Sequence, residues 1–139
     1  MNALQNQTAP AGDVDNRWEI MSKLYFEKLS ELISVLDFGD ELETALTVKH
    51  YFNGAAVYAD KTMCASWSPV GLAFKLPVAE VTEKIANGKA KPLKYFAKGR
   101  IKKGYVLFDN PQSMQQAALK SYFMKAAEQA KLTRVENRV

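Results

Sequence analysis

Apolar positions first recur along the chain at helical spacing. Trp18, Met21, Tyr25, Leu29, Leu32 and Leu36 fall three or four residues apart, while Glu19, Lys23, Glu27 and Glu31 lie mainly on the other side. This predicts a long amphipathic helix over Arg17–Leu36. Asp15 or Asn16 is placed to cap its start, because a short side-chain oxygen there accepts an otherwise unpaired backbone N–H. Gly39 is placed to end it, since glycine tolerates a left-handed C-cap. Residues 1–15 are polar, hold Pro10 and Gly12 and show no period, which predicts a disordered tail.

The period then changes to two. Leu46, Val48, His50 and Phe52 alternate with Ala45, Thr47, Lys49 and Tyr51, predicting a strand over Leu42–Phe52 and a turn or bulge at Asn53-Gly54. Ala55–Ala59 and Thr62–Trp67 read as strands around a tight turn at Asp60-Lys61. A turn over Ser68–Gly71 leads into Leu72–Leu76. Pro77 is expected at the first position of a helix with Val78, Val81 and Ile85 on its apolar edge, ended by Asn87-Gly88. Two more strands follow, Leu93–Phe96 and Lys102–Phe108, with a turn region over Ala97–Ile101. Asp109 or Asn110 then caps a last helix that opens at Pro111, with Met114, Ala118, Tyr122, Ala126 and Ala130 as its stripe. Connections of hairpin length make the sheet antiparallel. The expected fold is α+β: a two-layer sandwich with an antiparallel sheet of about five strands, helices on one face, and the order helix, three or four strands, helix, two strands, helix. A single domain is expected over residues 16–132, with a frayed tail over 133–139.

Composition narrows the chemistry. The 139 residues are 47% hydrophobic and 24% charged, ordinary values for one globular domain with a sizeable core. No apolar run approaches the roughly 20 residues that span a bilayer, and the N-terminus lacks a basic segment followed by an apolar block. The expectation is therefore a chain without a membrane segment or secretory signal. A single cysteine, Cys64, excludes an intramolecular disulfide and a thiolate metal cluster, so a reducing, cytoplasmic setting is expected. The net charge of +4 is unevenly spread. Acids dominate from Asp13 to Glu43, whereas Lys84, Lys89, Lys91, Lys94, Lys98, Arg100, Lys102 and Lys103 form a stretch without an acid. These eight are the candidate interaction patch, for an acidic partner or for head-to-tail contact with the acidic helix of a second copy.

No pattern of catalytic residues stands out. Asp37-Phe38-Gly39 spells the metal-binding tripeptide of protein kinases, but no glycine-rich or catalytic loop accompanies it, and it lies where the first helix should stop. Gly99 and Gly104 have the spacing of a phosphate loop, but Tyr105 stands where the lysine belongs and a strand follows in place of a helix. His50 is the only histidine and shares the strand phase of Val48 and Phe52, as a half-buried core or interface histidine would. Cys64 reads as a small buried apolar side chain. Nucleophilic chemistry would need those two residues to meet, and nothing in their spacing brings them together. Neither a catalytic, cofactor nor metal residue is assigned. Lysines interleaved with Tyr95, Phe96 and Tyr105 make weak, non-specific nucleic-acid binding the second functional reading.

The order of the middle segments resembles the N-terminal domain of the TfoX/Sxy family, over about Lys49–Ala127. The carrying elements are Phe52-Asn53-Gly54, then Asp60-Lys61-Thr62-Met63, Phe74-Lys75-Leu76, Lys91-Pro92-Leu93-Lys94-Tyr95 and Lys103-Gly104-Tyr105. Phe52, Asn53, Gly54 and Gly104 are its candidate structural motif, with Asn53 in place of the first glycine of the family's usual pair. The resemblance is to that N-terminal domain alone, so the second, helical domain of full competence regulators is not expected within these residues. The resemblance implies an α+β fold and, by analogy, a non-enzymatic interaction or regulatory module of the kind associated with bacterial competence and transcription. Its expected partner is an unidentified protein or a second copy.

Overall fold

The computed structural model describes residues 10–138. Helix α1 spans Pro10–Leu36, and a four-strand meander follows: β1 Leu46–Tyr51, β2 Gly54–Ala59, β3 Thr62–Ser68 and β4 Gly71–Lys75. Helix α2 (Val78–Ala86) leads to β5 (Lys91–Leu93) and β6 (Lys102–Phe108), and α3 (Gln116–Arg138) closes the chain. The six strands form one antiparallel sheet in the order β1-β2-β3-β4-β6-β5. The fold is thus the expected α+β arrangement, with four strands before the middle helix and two after it.

Alternation sorts the strands into two faces. Leu46, Val48 and His50 of β1 share a side with Ala55, Val57, Trp67, Leu72, Phe74 and Val106, and α1 and α3 pack there. Leu29 and Leu36 of α1 and Leu119, Phe123, Ala126 and Ala130 of α3 complete this core. Its centre is aromatic, with Phe123 edge-on to Phe74 at 4.8 Å and Phe38 edge-on to Phe123 at 6.2 Å. Val81 joins the same core, and Lys125 of α3 pairs with Glu80 of α2 at 3.0 Å. A register shift after Val57 leaves Cys64 as an extra residue on β3, so Cys64 and Ala65 both turn inward.

Several expectations need correcting. Helix α1 begins at Pro10, upstream of Asp15 and Asn16, because proline is pre-organised for the first turn and its missing N–H would have had no partner there. The helix thus starts inside the segment 1–15 that was read as a tail, and residues 1–9 lie outside the described residues. Strand β1 starts at Leu46, not Leu42. Pro77 is the N-cap of α2 (φ −57°, ψ 146°) instead of its first residue. Pro111 opens only a 3-10 turn, since extended Met114 (φ −87°, ψ 144°) interrupts the chain before α3 starts at Gln116. Helix α3 is described to Arg138, into the segment 133–139 that was read as a tail.

The largest departure concerns Leu93–Phe96. Only Lys91–Leu93 pairs, and the chain then leaves the edge and crosses the helix-free face of the sheet as a strap. Tyr95 lies against this face, its hydroxyl 2.8 Å from Ser66 Oγ of β3. Phe96 reaches the opposite side of the molecule and stacks on Trp18 with centroids 6.3 Å apart. The strap fits because Ala56, Ser66 and Ala73, cross-strand neighbours on this face, leave a shallow trough. Gly104, at φ +84°, supplies the left-handed residue where β6 slips by several residues against β5.

Candidate functional site

Among the described residues of α1, Ser22 is the one polar side chain that is buried at the sheet. Its hydroxyl donates to the Gly54 carbonyl at 2.7 Å, and its oxygen is also 2.7 Å from His50 Nδ1. With the serine proton committed to the carbonyl, Nδ1–H is left as the donor to Oγ, so the imidazole is not a base for the serine. The pair is a clamp between α1 and the β1–β2 hairpin, built from side chains 28 residues apart. The ring of His50 stacks on Phe26 at 4.7 Å, on the face its strand phase predicts, but its edge position leaves it exposed.

Beside this clamp, α1 and the outer strand β1 diverge to leave a groove of about 730 Å³. Trp18, Phe26, Phe52 and His50 provide its apolar walls, and Glu19, Lys23 and Glu27 stand on its rim. Trp18 and Phe52 are 42% and 48% exposed, although their rings pack edge to face at 6.4 Å. Phe96 of the strap and Tyr51 extend the cluster. Phe52 is offered outward because it takes a left-handed conformation itself (φ 52°), one residue before the turn expected at Asn53-Gly54. Gly54 is needed for another reason: a Cβ there would lie 2.4 Å from the Trp67 carbonyl oxygen.

No family model, curated protein or solved structure matches this chain.

The eight-residue basic patch does not form one surface. Lys84 lies 4.0 Å from Glu80 and over the Tyr122 ring, and Lys91 pairs with Asp109 at 2.5 Å. Lys89 sits in the turn after α2, where its backbone N–H donates to Asn87 Oδ1. Lys94, Lys98, Arg100 and Lys103 are exposed along the strap and at the start of β6, with no ion pair among the described residues. Lys102 lies over the Tyr105 ring. The acidic segment is divided too, because Glu41 pairs with Lys120 at 2.5 Å and Glu43 with Lys131 at 2.7 Å, both on α3.

His50 and Cys64 are not brought together. Cys64 lies in the interior two strands away, and burial pushes its thiol up to about 12 against the opposing pull of Lys75. Burial likewise pushes Tyr95 up to about 12, opposed by its hydrogen bond with Ser66. Both groups hold their protons more tightly folded than unfolded. The stability this supplies is complete below the unfolded values of 9.0 and 10.0 and is lost as pH rises toward about 12. Urea midpoints should stay level from about pH 7 to 9 and drop steeply by about pH 11. An unchanged midpoint at the alkaline end would contradict the burial of these two groups.

Among the described residues no three His, Cys, Asp or Glu side chains are grouped to hold a metal ion, and no helix is long and apolar enough to cross a membrane. Sequence reasoning missed Ser22 and Phe26, which sit on the flank of the predicted helix stripe. It also missed the part of Phe96, assigned to a strand. An aromatic residue next to an aromatic residue, where alternation would call for a polar one, was the available signal at Phe96.

Proposed function

We propose that this chain is a non-enzymatic interaction module that binds an extended segment of a partner protein along the free edge of β1. The observation that carries this reading is the continuity of that edge with the aromatic groove. Strand β1 has a partner on one side only, so its outward N–H and C=O groups are open to an added strand. An apolar side chain of the added segment fills the space between Trp18, Phe26 and Phe52. Glu19 and Glu27 favour a basic residue beside it, while Lys23 selects against a run of them. The likeness of the Phe52–Tyr105 region to TfoX-type regulators supports a regulatory role of the same general kind, by analogy of fold.

The test compares proteins retained from native lysate by the wild-type chain, a Trp18→Ala/Phe52→Ala double variant and a Leu24→Ala control. Leu24 is exposed on α1 and does not line the groove. The expected result is a protein held by wild type and control and lost from the double variant, with cross-links from it mapping to β1. If the retained proteins are identical for all three, the groove is not the contact. A groove-dependent self-association of the purified chain would make the partner a second copy.

A further inference from the structure

The face of the sheet away from the helices has a chemistry that the groove does not use. The strands that build it contain no Asp or Glu, yet contribute Lys49, Lys75, Lys91, Lys102 and Lys103. Alternation sends Lys49 and Lys75 to the helix-free side, opposite the side that packs Val48 and Phe74. Tyrosines share that side. Tyr58 is the cross-strand neighbour of Thr47 and Met63, and Tyr105 is the neighbour of Lys75. The Tyr105 hydroxyl donates to the Met63 carbonyl at 3.1 Å, which holds its ring flat across β4.

Two of these charges meet on one ring. Lys75 Nζ and Lys102 Nζ each lie 5.4 Å from the centre of the same Tyr105 ring, and Lys49 Nζ lies 4.7 Å from that of Tyr58. None of the three makes an ion pair among the described residues. Burial, and after it the repulsion of the Lys102 ammonium on the same ring, lowers the Lys75 pKa. An anion between them removes that repulsion. Lys94, Lys98, Arg100 and Lys103 continue the positive charge along the strap, while the acids of α1 stay on the opposite side of the sheet. Tyr58 is only partly covered, with Lys49 over its ring, whereas Tyr51 packs on Phe52 and Tyr95.

We propose that this face binds single-stranded nucleic acid on either side of the strap, with Lys49 on one phosphate, Lys75 and Lys102 on others further along the same strand, and an unpaired base stacked on Tyr58. Positive charge interleaved with exposed rings on a sheet suits a flexible strand, whose bases are free to lie on the rings. A duplex keeps its bases stacked internally and offers only its phosphates. This differs from the sequence-based patch, because Lys49, Lys75 and Tyr58 lie outside residues 84–103 and Lys84 and Lys91 of that patch are engaged elsewhere.

The experiment is a fluorescence-anisotropy titration of the full chain with labelled oligothymidylate and oligouridylate of about 16 nucleotides, at about 50 and 200 mM salt. Binding should weaken at least tenfold across that range. A Lys75→Gln/Lys102→Gln double variant should lower the slope of log affinity against log salt by about 1.4, two phosphate contacts at about 0.7 each. Tyr58→Ala should weaken binding roughly tenfold through lost stacking, and a duplex of equal length should bind less well than either single strand. Lys49 is exposed, so Lys49→Gln provides a variant safe for folding and should lower the slope by about 0.7. Unchanged binding in the double variant and in Lys49→Gln would overturn the proposal. So would binding indifferent to Tyr58→Ala and displaced equally well by a polyglutamate peptide, a result that would assign the face to an acidic protein surface.

Discussion

Gly54→Val should destabilise the protein by about 3 kcal/mol or more, the upper range for forcing atoms into filled space. The first side-chain carbon would lie 2.4 Å from the Trp67 carbonyl oxygen and 2.7 Å from Ser68 Cβ. Both contacts belong to β3, and neither can swing aside without breaking the β2–β3 pairing. The Gly54 carbonyl also accepts the Ser22 hydroxyl, so displacement of the hairpin loosens α1 as well. Gly54→Ala should already be costly, because its added carbon is the one that collides. Gly104→Ala is the contrast: a Cβ there meets nothing within 4 Å, but φ of +84° imposes strain of about 1–2 kcal/mol. Urea denaturation of the three variants decides the matter. A Gly54→Ala protein as stable as wild type would show that the hairpin gives way freely.

Phe123→Ala should remove about 3–5 kcal/mol, the range for deleting a buried aromatic side chain. Phe123 is fully buried and touches Phe38 and Phe74 in edge-on contacts. Its loss leaves a void between α3 and the middle of the sheet. Tyr122→Ala is the informative partner, since that ring is only half-buried and lies on Phe74 and Phe108 at the margin of the core. It should cost less than Phe123→Ala in the same denaturation series. The reverse order would mean that α3 is rotated by one residue relative to the sheet.

That pair also marks what was legible in the sequence. The existence and kind of every main element followed from periodicity, because Leu29, Leu36, Val57 and Phe74 repeat at the spacings their helices and strands require. The phase of α3 followed only in part. The chosen stripe of Met114, Ala118, Tyr122, Ala126 and Ala130 includes two core residues, Ala126 and Ala130, but omits Leu119, Phe123 and Ala127 beside them, and helical spacing admits both lines. The strap was illegible for a different reason. Leu93-Lys94-Tyr95 alternates as a strand would, and only the trough at Ala56, Ser66 and Ala73, distant in sequence, draws Tyr95 off the edge. The groove depends on the same kind of information, since Trp18, Phe52 and Phe96 meet only after the chain has crossed the whole sheet. The charge run from Lys84 to Lys103 was visible as composition, but a linear count has no means of showing that Glu80 and Asp109 neutralise two of its members.

The shared core of α1 and α3 has a consequence for how the protein is made. Strands β1–β4 leave the ribosome as a local meander with only α1 available to cover them, and Phe74 at its centre waits for Phe123. At about 5–20 residues per second, the apolar side of the sheet stays open for some seconds of synthesis. During that interval a nascent chain displays a free strand edge and a bare aromatic core, the surfaces through which neighbouring chains on one messenger aggregate. Slow translation of the segment between β4 and α3 should therefore lower the yield of folded protein without changing the stability of the molecules that do fold.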